Sequence, residues 1–249
     1  MRLYLASLWL QLRLLSRSPF FVSMAVLTPI AYCSLAGLMS GGHTSLRLVI
    51  GAGLMGAWST ALYGAAEALY MQRFSGTLEM LIGSPRSLIA PVLGFTTATV
   101  LLGVYSIAVA WLWATVVLHL EPGSANAAMI LLGLALALVS LTSIGVVLAG
   151  MYVLTRKAME ITNMMEYPIW VVCGVLMPAA ALWPPLATVG KFLPLGWAMD
   201  TVNRATAGTA AAFPVEMSVV LSALYFGVGL FLLRRIDLLA RQRGTLSLR

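Results

Sequence analysis

Charge is what this sequence has least of. Only 9% of its 249 residues are Asp, Glu, Lys or Arg, 61% are hydrophobic, and the mean hydropathy is +0.95. Soluble domains carry about a quarter charged residues, so a water-soluble fold is excluded. Cysteine is nearly absent: Cys33 and Cys173 both sit in apolar segments and read as small buried hydrophobes, not as a disulfide framework. The two histidines, His43 and His119, are far apart, and no acidic or thiol group lies at ligand spacing, so no metal site is expected. There is no GxxxxGK[ST] phosphate loop, no GxSxG nucleophile turn, and no room for a soluble ATPase domain. No span carries a ring-forming polar motif of the kind that lines an ion channel. The N-terminus lacks the short apolar core and small-residue cleavage site of a signal peptide. Internal repeats and low-complexity linkers are missing too. The formal net charge of +7 does not point to nucleic acid, because no basic stripe with interleaved aromatics lies outside the apolar stretches.

What is present is a series of long apolar runs. A membrane-spanning helix needs about 20 apolar residues. Six runs approach that length, at residues 20–39, 48–66, 88–118, 127–155, 161–176 and 217–233. The predicted fold is therefore an all-α polytopic membrane protein with six transmembrane helices. The basic residues set its orientation. Arg2, Arg13 and Arg17 precede the first run, and Arg73 and Arg86 follow the second. Arg156 and Lys157 follow the fourth, and five arginines follow the sixth. Only Arg47, Lys191 and Arg204 fall on the opposite side, so both termini are expected in the cytoplasm.

Residues 1–18 differ from a span. At helical periodicity Arg2, Ala6, Trp9, Arg13, Ser16 and Arg17 share one sector, and leucines fill the rest. That pattern predicts an amphipathic helix lying in the headgroup plane. Residues 177–216 are broken by Pro178, Pro184, Pro185, Pro194 and Pro214 yet remain apolar in places. Short re-entrant helices on the outer side fit that combination, since irregular backbone at membrane depth must be buried or face a wet cavity.

The segment at residues 67–87 is the polar exception between two apolar runs. Gly76-Thr77 looks like a helix start with Thr77 as N-cap, Glu79 suits the first turn, and Leu78, Leu81 and Ile82 make a short apolar stripe that Pro85 ends. The wording Arg73-x-x-Gly76-Thr77-Leu78-Glu79-x-Leu81-x-x-Ser84-Pro85 resembles the cytoplasmic loop of ABC-2 type transporter permeases, the membrane subunits of type V ABC exporters. A second stretch is similar to the same family: Gly174-Val175-Leu176-Met177-Pro178, then Leu193-Pro194-Leu195-Gly196-Trp197-Ala198-Met199-Asp200. Gly83 departs from the pattern, standing where a helix-favouring residue is expected.

The resemblance implies a mechanism and partners. Residues 67–87 would hold a coupling helix that docks on a separate ABC ATPase. Leu78 and Leu81 would be its apolar anchors, Gly76 and Thr77 would form its start, and Arg73 and Glu79 would make rim contacts. No cofactor would bind this chain, and ATP and Mg would sit on the partner ATPase. Two ATPases would serve two permeases, the second permease identical or paralogous. The whole would lie in the inner membrane of a prokaryote. Small pairs such as Ala52/Gly56 and Ala57/Ala61 fit either packing within one chain or contact with that second permease.

Glu160 and Glu166 lie at the start of the fifth run, and Glu166 admits two readings. Glu166 faces the wet cytoplasmic rim near Arg156 and Lys157, or it is an intramembrane acid with a role in gating. Tyr167, Trp170 and Met177 line the same run and are candidates for a substrate path, although such residues more commonly pack or anchor at the interface. Asp200 and Arg204, spaced i,i+4, are expected to pair. Among functions, export of a drug- or antibiotic-like amphiphile comes first, because large external domains are lacking. Export of a lipid or lipid-linked glycan, and a non-transporting membrane scaffold that recruits a cytoplasmic enzyme, are the alternatives.

Overall fold

The computed structural model describes residues 2–39, 45–74, 89–119, 126–154, 158–175, 183–209 and 211–243. Among them every regular element is a helix. In chain order these are α1 (Arg2–Arg17), α2 (Pro19–Met39), α3 (Leu46–Phe74), α4 (Ile89–Val116), α5 (Ala127–Leu154), α6 (Ala158–Val172), α7 (Pro184–Gly190), α8 (Pro194–Thr206) and α9 (Ala212–Arg243).

Five stretches are long and apolar enough to cross a membrane: Pro19–Leu38, Leu46–Gly64, Ile89–Val116, Ala127–Tyr152 and Ala212–Leu238. They correspond to five of the six expected runs. The remaining run, at residues 161–176, coincides with α6, whose fifteen residues rise only about 22 Å against a hydrocarbon core of about 30 Å. α6 stops at Val172 because Gly174 turns left-handed (φ 72°). The Val175 N–H then reaches back to the Trp170 carbonyl at 3.0 Å and the Gly174 N–H to the Val171 carbonyl at 3.1 Å, closing the helix end.

α3 is the central helix, and small residues make it so. Glycines and alanines replace bulky side chains along Leu46–Gly64, and most of that stretch is buried. A Cβ on Gly53 would lie 2.9 Å from the Ile107 Cα, and one on Gly103 would lie 2.9 Å from the Ala57 Cα, so α3 and α4 touch backbone to backbone. Ala52, Ala57 and Ala61 are all buried. The small-residue pairs are thus used for packing inside the chain.

α1 packs along α4 rather than along α2. Tyr4 donates to Thr97 Oγ1 at 3.2 Å, and Gly94 lets the α1 backbone approach. Gln11 and Leu15 are buried, while Trp9, Leu5, Leu10 and Leu14 remain exposed beside Arg13 and Arg17. An exposed face that mixes apolar and basic side chains suits a lipid–water boundary. At the opposite end of the bundle, α7 and α8 each begin with proline in the first turn, where no N–H is needed. α8 packs on α5 and α9. Asn126 caps α5 by accepting from the Met129 N–H at 3.2 Å, and its own N–H reaches the Ala205 carbonyl of α8.

Candidate functional site

Among the described residues two acids are buried, Glu166 on α6 and Asp237 towards the end of α9, and the partners of Glu166 lie on a neighbouring helix. Glu166 on α6 is only 5% exposed, so it does not face a wet rim. Its carboxyl group meets two hydroxyls on the neighbouring α3. Ser59 donates to Oε1 at 2.5 Å and Tyr63 donates to Oε2 at 2.7 Å. Ser59 and Tyr63 are four residues apart and so lie on one face of α3, and both carboxyl oxygens are satisfied from that single face. The Tyr63 oxygen also lies 2.6 Å from Asn163 Oδ1. A phenol has one proton, so both contacts are favourable when the Asn163 amide turns its NH₂ towards the phenol.

Aromatic rings close the cluster. Trp170 meets Tyr32 of α2 and Tyr167 edge-to-face, with centroids 5.2 Å apart in each case. The indole N–H groups of Trp58 and Trp170 are buried and have no hydrogen-bond partner among the described residues. Tyr167 and Met164 point the other way and are exposed, at 61% and 77%. α6 thus carries a polar-bonded face towards α3 and an apolar, uncovered face away from it. Pro168, exposed on the side away from α3, removes the N–H that would bond to the Met164 carbonyl.

A second polar tie closes the other end. Arg47, in the first turn of α3, donates from Nε to Asn203 Oδ1 of α8 at 2.6 Å and from Nη2 to the Gly174 carbonyl at 3.3 Å. One guanidinium therefore joins α3, α8 and the chain just past α6. Asp200 and Arg204 pair at 3.0 Å, as their spacing suggests, and remain partly exposed.

Of the residues singled out from sequence, Glu166, Tyr167 and Trp170 are brought together. Gly76, Thr77, Leu78, Glu79, Leu81 and Met177 lie outside the described residues. Arg73 belongs to the last turn of α3, which runs unbroken to Phe74, past the expected end of the second span. Sequence reasoning missed Ser59, Tyr63, Asn163, Arg47 and Asn203. The available signal was pairing of polar faces: Ser59/Tyr63 at i,i+4 in one apolar helix answers Asn163/Glu166 at i,i+3 in another. Among the described residues no cluster of three or more His, Cys, Asp or Glu side chains is placed to hold a metal ion.

The sequence was compared with protein families and with curated proteins. No curated protein sequence matches it. The family described as ABC-2 type transporter matches residues 2–205, which takes in α1 to α8 and therefore both the Glu166 cluster and the Arg47 tie. The chain belongs to the ABC-2 type transporter family.

Proposed function

We propose that this chain is the permease subunit of an ATP-driven exporter that moves an amphiphilic small molecule, drug- or antibiotic-like, out of the cell. The observation that carries the reading is the family match over residues 2–205 on a bundle of apolar helices. The sequence holds no phosphate loop, so ATP and Mg belong to a separate ATPase, present in two copies. A second permease, identical or paralogous, covers the exposed face of α6, and Tyr167 and Met164 line the path between the two copies, with Trp170 buried behind Tyr167.

The geometry supports a route for the stroke. α3 is one uninterrupted helix of 29 residues, about 43 Å long. It ends at Phe74, next to the expected docking segment with its anchors Leu78 and Leu81 and its flanking Arg73, Gly76, Thr77 and Glu79. Movement of the docking segment shifts α3, and the Ser59 and Tyr63 hydroxyls pass that shift to Glu166 and hence to the path-lining helix. Glu166 acts as the joint between drive and gate.

Two measurements test this. The permease is co-purified with the ATPase, and ATP hydrolysis is measured in lipid with candidate amphiphiles. Leu78→Asp with Leu81→Asp abolishes recruitment or coupling while leaving membrane insertion intact. Full export by that double variant sinks the docking assignment. Glu166→Gln uncouples hydrolysis from export, and unchanged coupling removes Glu166 from the mechanism.

A further inference from the structure

We infer that the cavity beneath α7 and α8 binds the phosphate of a membrane glycerophospholipid whose acyl chain lies along α9. The cavity has a volume of about 430 Å³, within the range of small-ligand sites, and sits at the end of the bundle opposite α1. Its floor is backbone. A Cβ on Gly196 would lie 2.5 Å from the Gly190 carbonyl oxygen, and one on Gly190 would overlap the Val172 carbonyl. The space exists because two small residues let α6, α7 and α8 meet closely.

The walls carry three charged side chains, Lys191, Asp200 and Arg204. Asp200 and Arg204 neutralise one another at 3.0 Å. Among the described residues no carboxyl group pairs with Lys191, which is exposed. The site is therefore left with one positive charge and selects an anion. The Trp197 indole donates to the Lys191 carbonyl at 2.8 Å, fixing ring and lysine backbone together, and its ring meets Phe213 edge-to-face at 5.3 Å. A cation beside two aromatic rings is the chemistry of the headgroup level.

The lipid source follows from Phe213. It lines the cavity, and beyond the exposed Glu216 the same face of α9 continues as an exposed apolar stripe of Val220, Leu224, Val228 and Phe231 at helical spacing. From Phe213 to Leu224 the helix rises about 16 Å, roughly the hydrocarbon depth of one leaflet. A molecule with phosphate at Lys191 and a chain on this stripe satisfies both surfaces, whereas a soluble phosphate satisfies only the first. The inference needs α9 to face lipid and does not depend on which compound is exported.

The test uses the purified full-length permease in detergent and native mass spectrometry of retained phosphatidylglycerol. Lys191→Glu should lower retention about tenfold, the loss expected for one charge-assisted contact. Lys191→Arg should restore it. Diacylglycerol with the same chains, and glycerol 3-phosphate at millimolar concentration, should each fail to displace the lipid. Equal retention by the parent protein and Lys191→Glu overturns the site. Displacement by glycerol 3-phosphate alone makes it a soluble-anion site and overturns the lipid assignment, and displacement by diacylglycerol removes the phosphate from the recognition. Lys191 is exposed, so a thermal melt of Lys191→Glu should match the parent.

Discussion

Glu166 is tolerable in an apolar helix only because each carboxyl oxygen has its own hydroxyl. Interhelical hydrogen bonds in membranes are worth about 0.5–2 kcal/mol each. Tyr63→Phe should therefore lower stability by about that amount, read as a drop in melting temperature in detergent. Ser59→Ala should do the same, and the double variant should fall short of additivity because both act on one carboxyl group. The acid itself was legible in the sequence as a costly residue in an apolar run. Its partners were not. Ser59 and Tyr63 sit more than a hundred positions away in a run that reads as uniformly apolar. Helical periodicity gives the face of each residue on its own helix but not the register between two helices.

At the scale of elements, the contrast lies between α3 and α6. α3 is smooth and continuous, and its contact with α4 leaves no space for a side chain at Gly103. Gly103→Val should cost about 1–3 kcal/mol, or abolish monodisperse protein outright, as an overpacked helix contact. The check is size-exclusion behaviour and thermal unfolding beside a Gly227→Val control, since a Cβ at Gly227 meets nothing within 4 Å. α6 is short and ended by a left-handed glycine. Gly174→Ala forces a side chain into φ 72° and should destabilise by about 1 kcal/mol. Five of the long runs were legible from hydropathy alone. The end of α6 was not, because apolar residues continue to Leu176 while Gly174 supplies the left-handed turn. The continuation of α3 to Phe74 was hidden for a similar reason: polar residues after Glu67 resemble a loop when lipid is assumed to set the helix length.

For the whole molecule, the two ends of the bundle have different characters. One end carries α1, with exposed leucines and arginines. The other carries α7, α8 and the cavity of about 430 Å³. The bias of basic residues leads us to expect the first end in the cytoplasm. Both native cysteines are buried, at 0% and 3% exposure, so single-cysteine labelling has little background. In whole cells, Lys191→Cys should react with a membrane-impermeant maleimide, and Arg13→Cys should react only after permeabilisation. The opposite pattern would invert the topology and with it the direction of transport. The helical bundle was thus readable from composition, whereas the Arg47 tie and the cavity were not, because both are made by residues that tertiary packing alone brings together.

The short α6 leaves a further consequence at the Arg47 end. Past the end of a helix, backbone carbonyls at membrane depth still need donors, from neighbouring helices, side chains or ordered water. Here the Arg47 guanidinium meets the Gly174 carbonyl and holds Asn203 against it. The guanidinium supplies the donor which that carbonyl needs at membrane depth, so the tie is expected to act as a seal. A permease with Arg47→Leu should insert and recruit its ATPase normally, yet leave proteoliposomes permeable to protons, so that the first sign of its loss is a leak in the resting state.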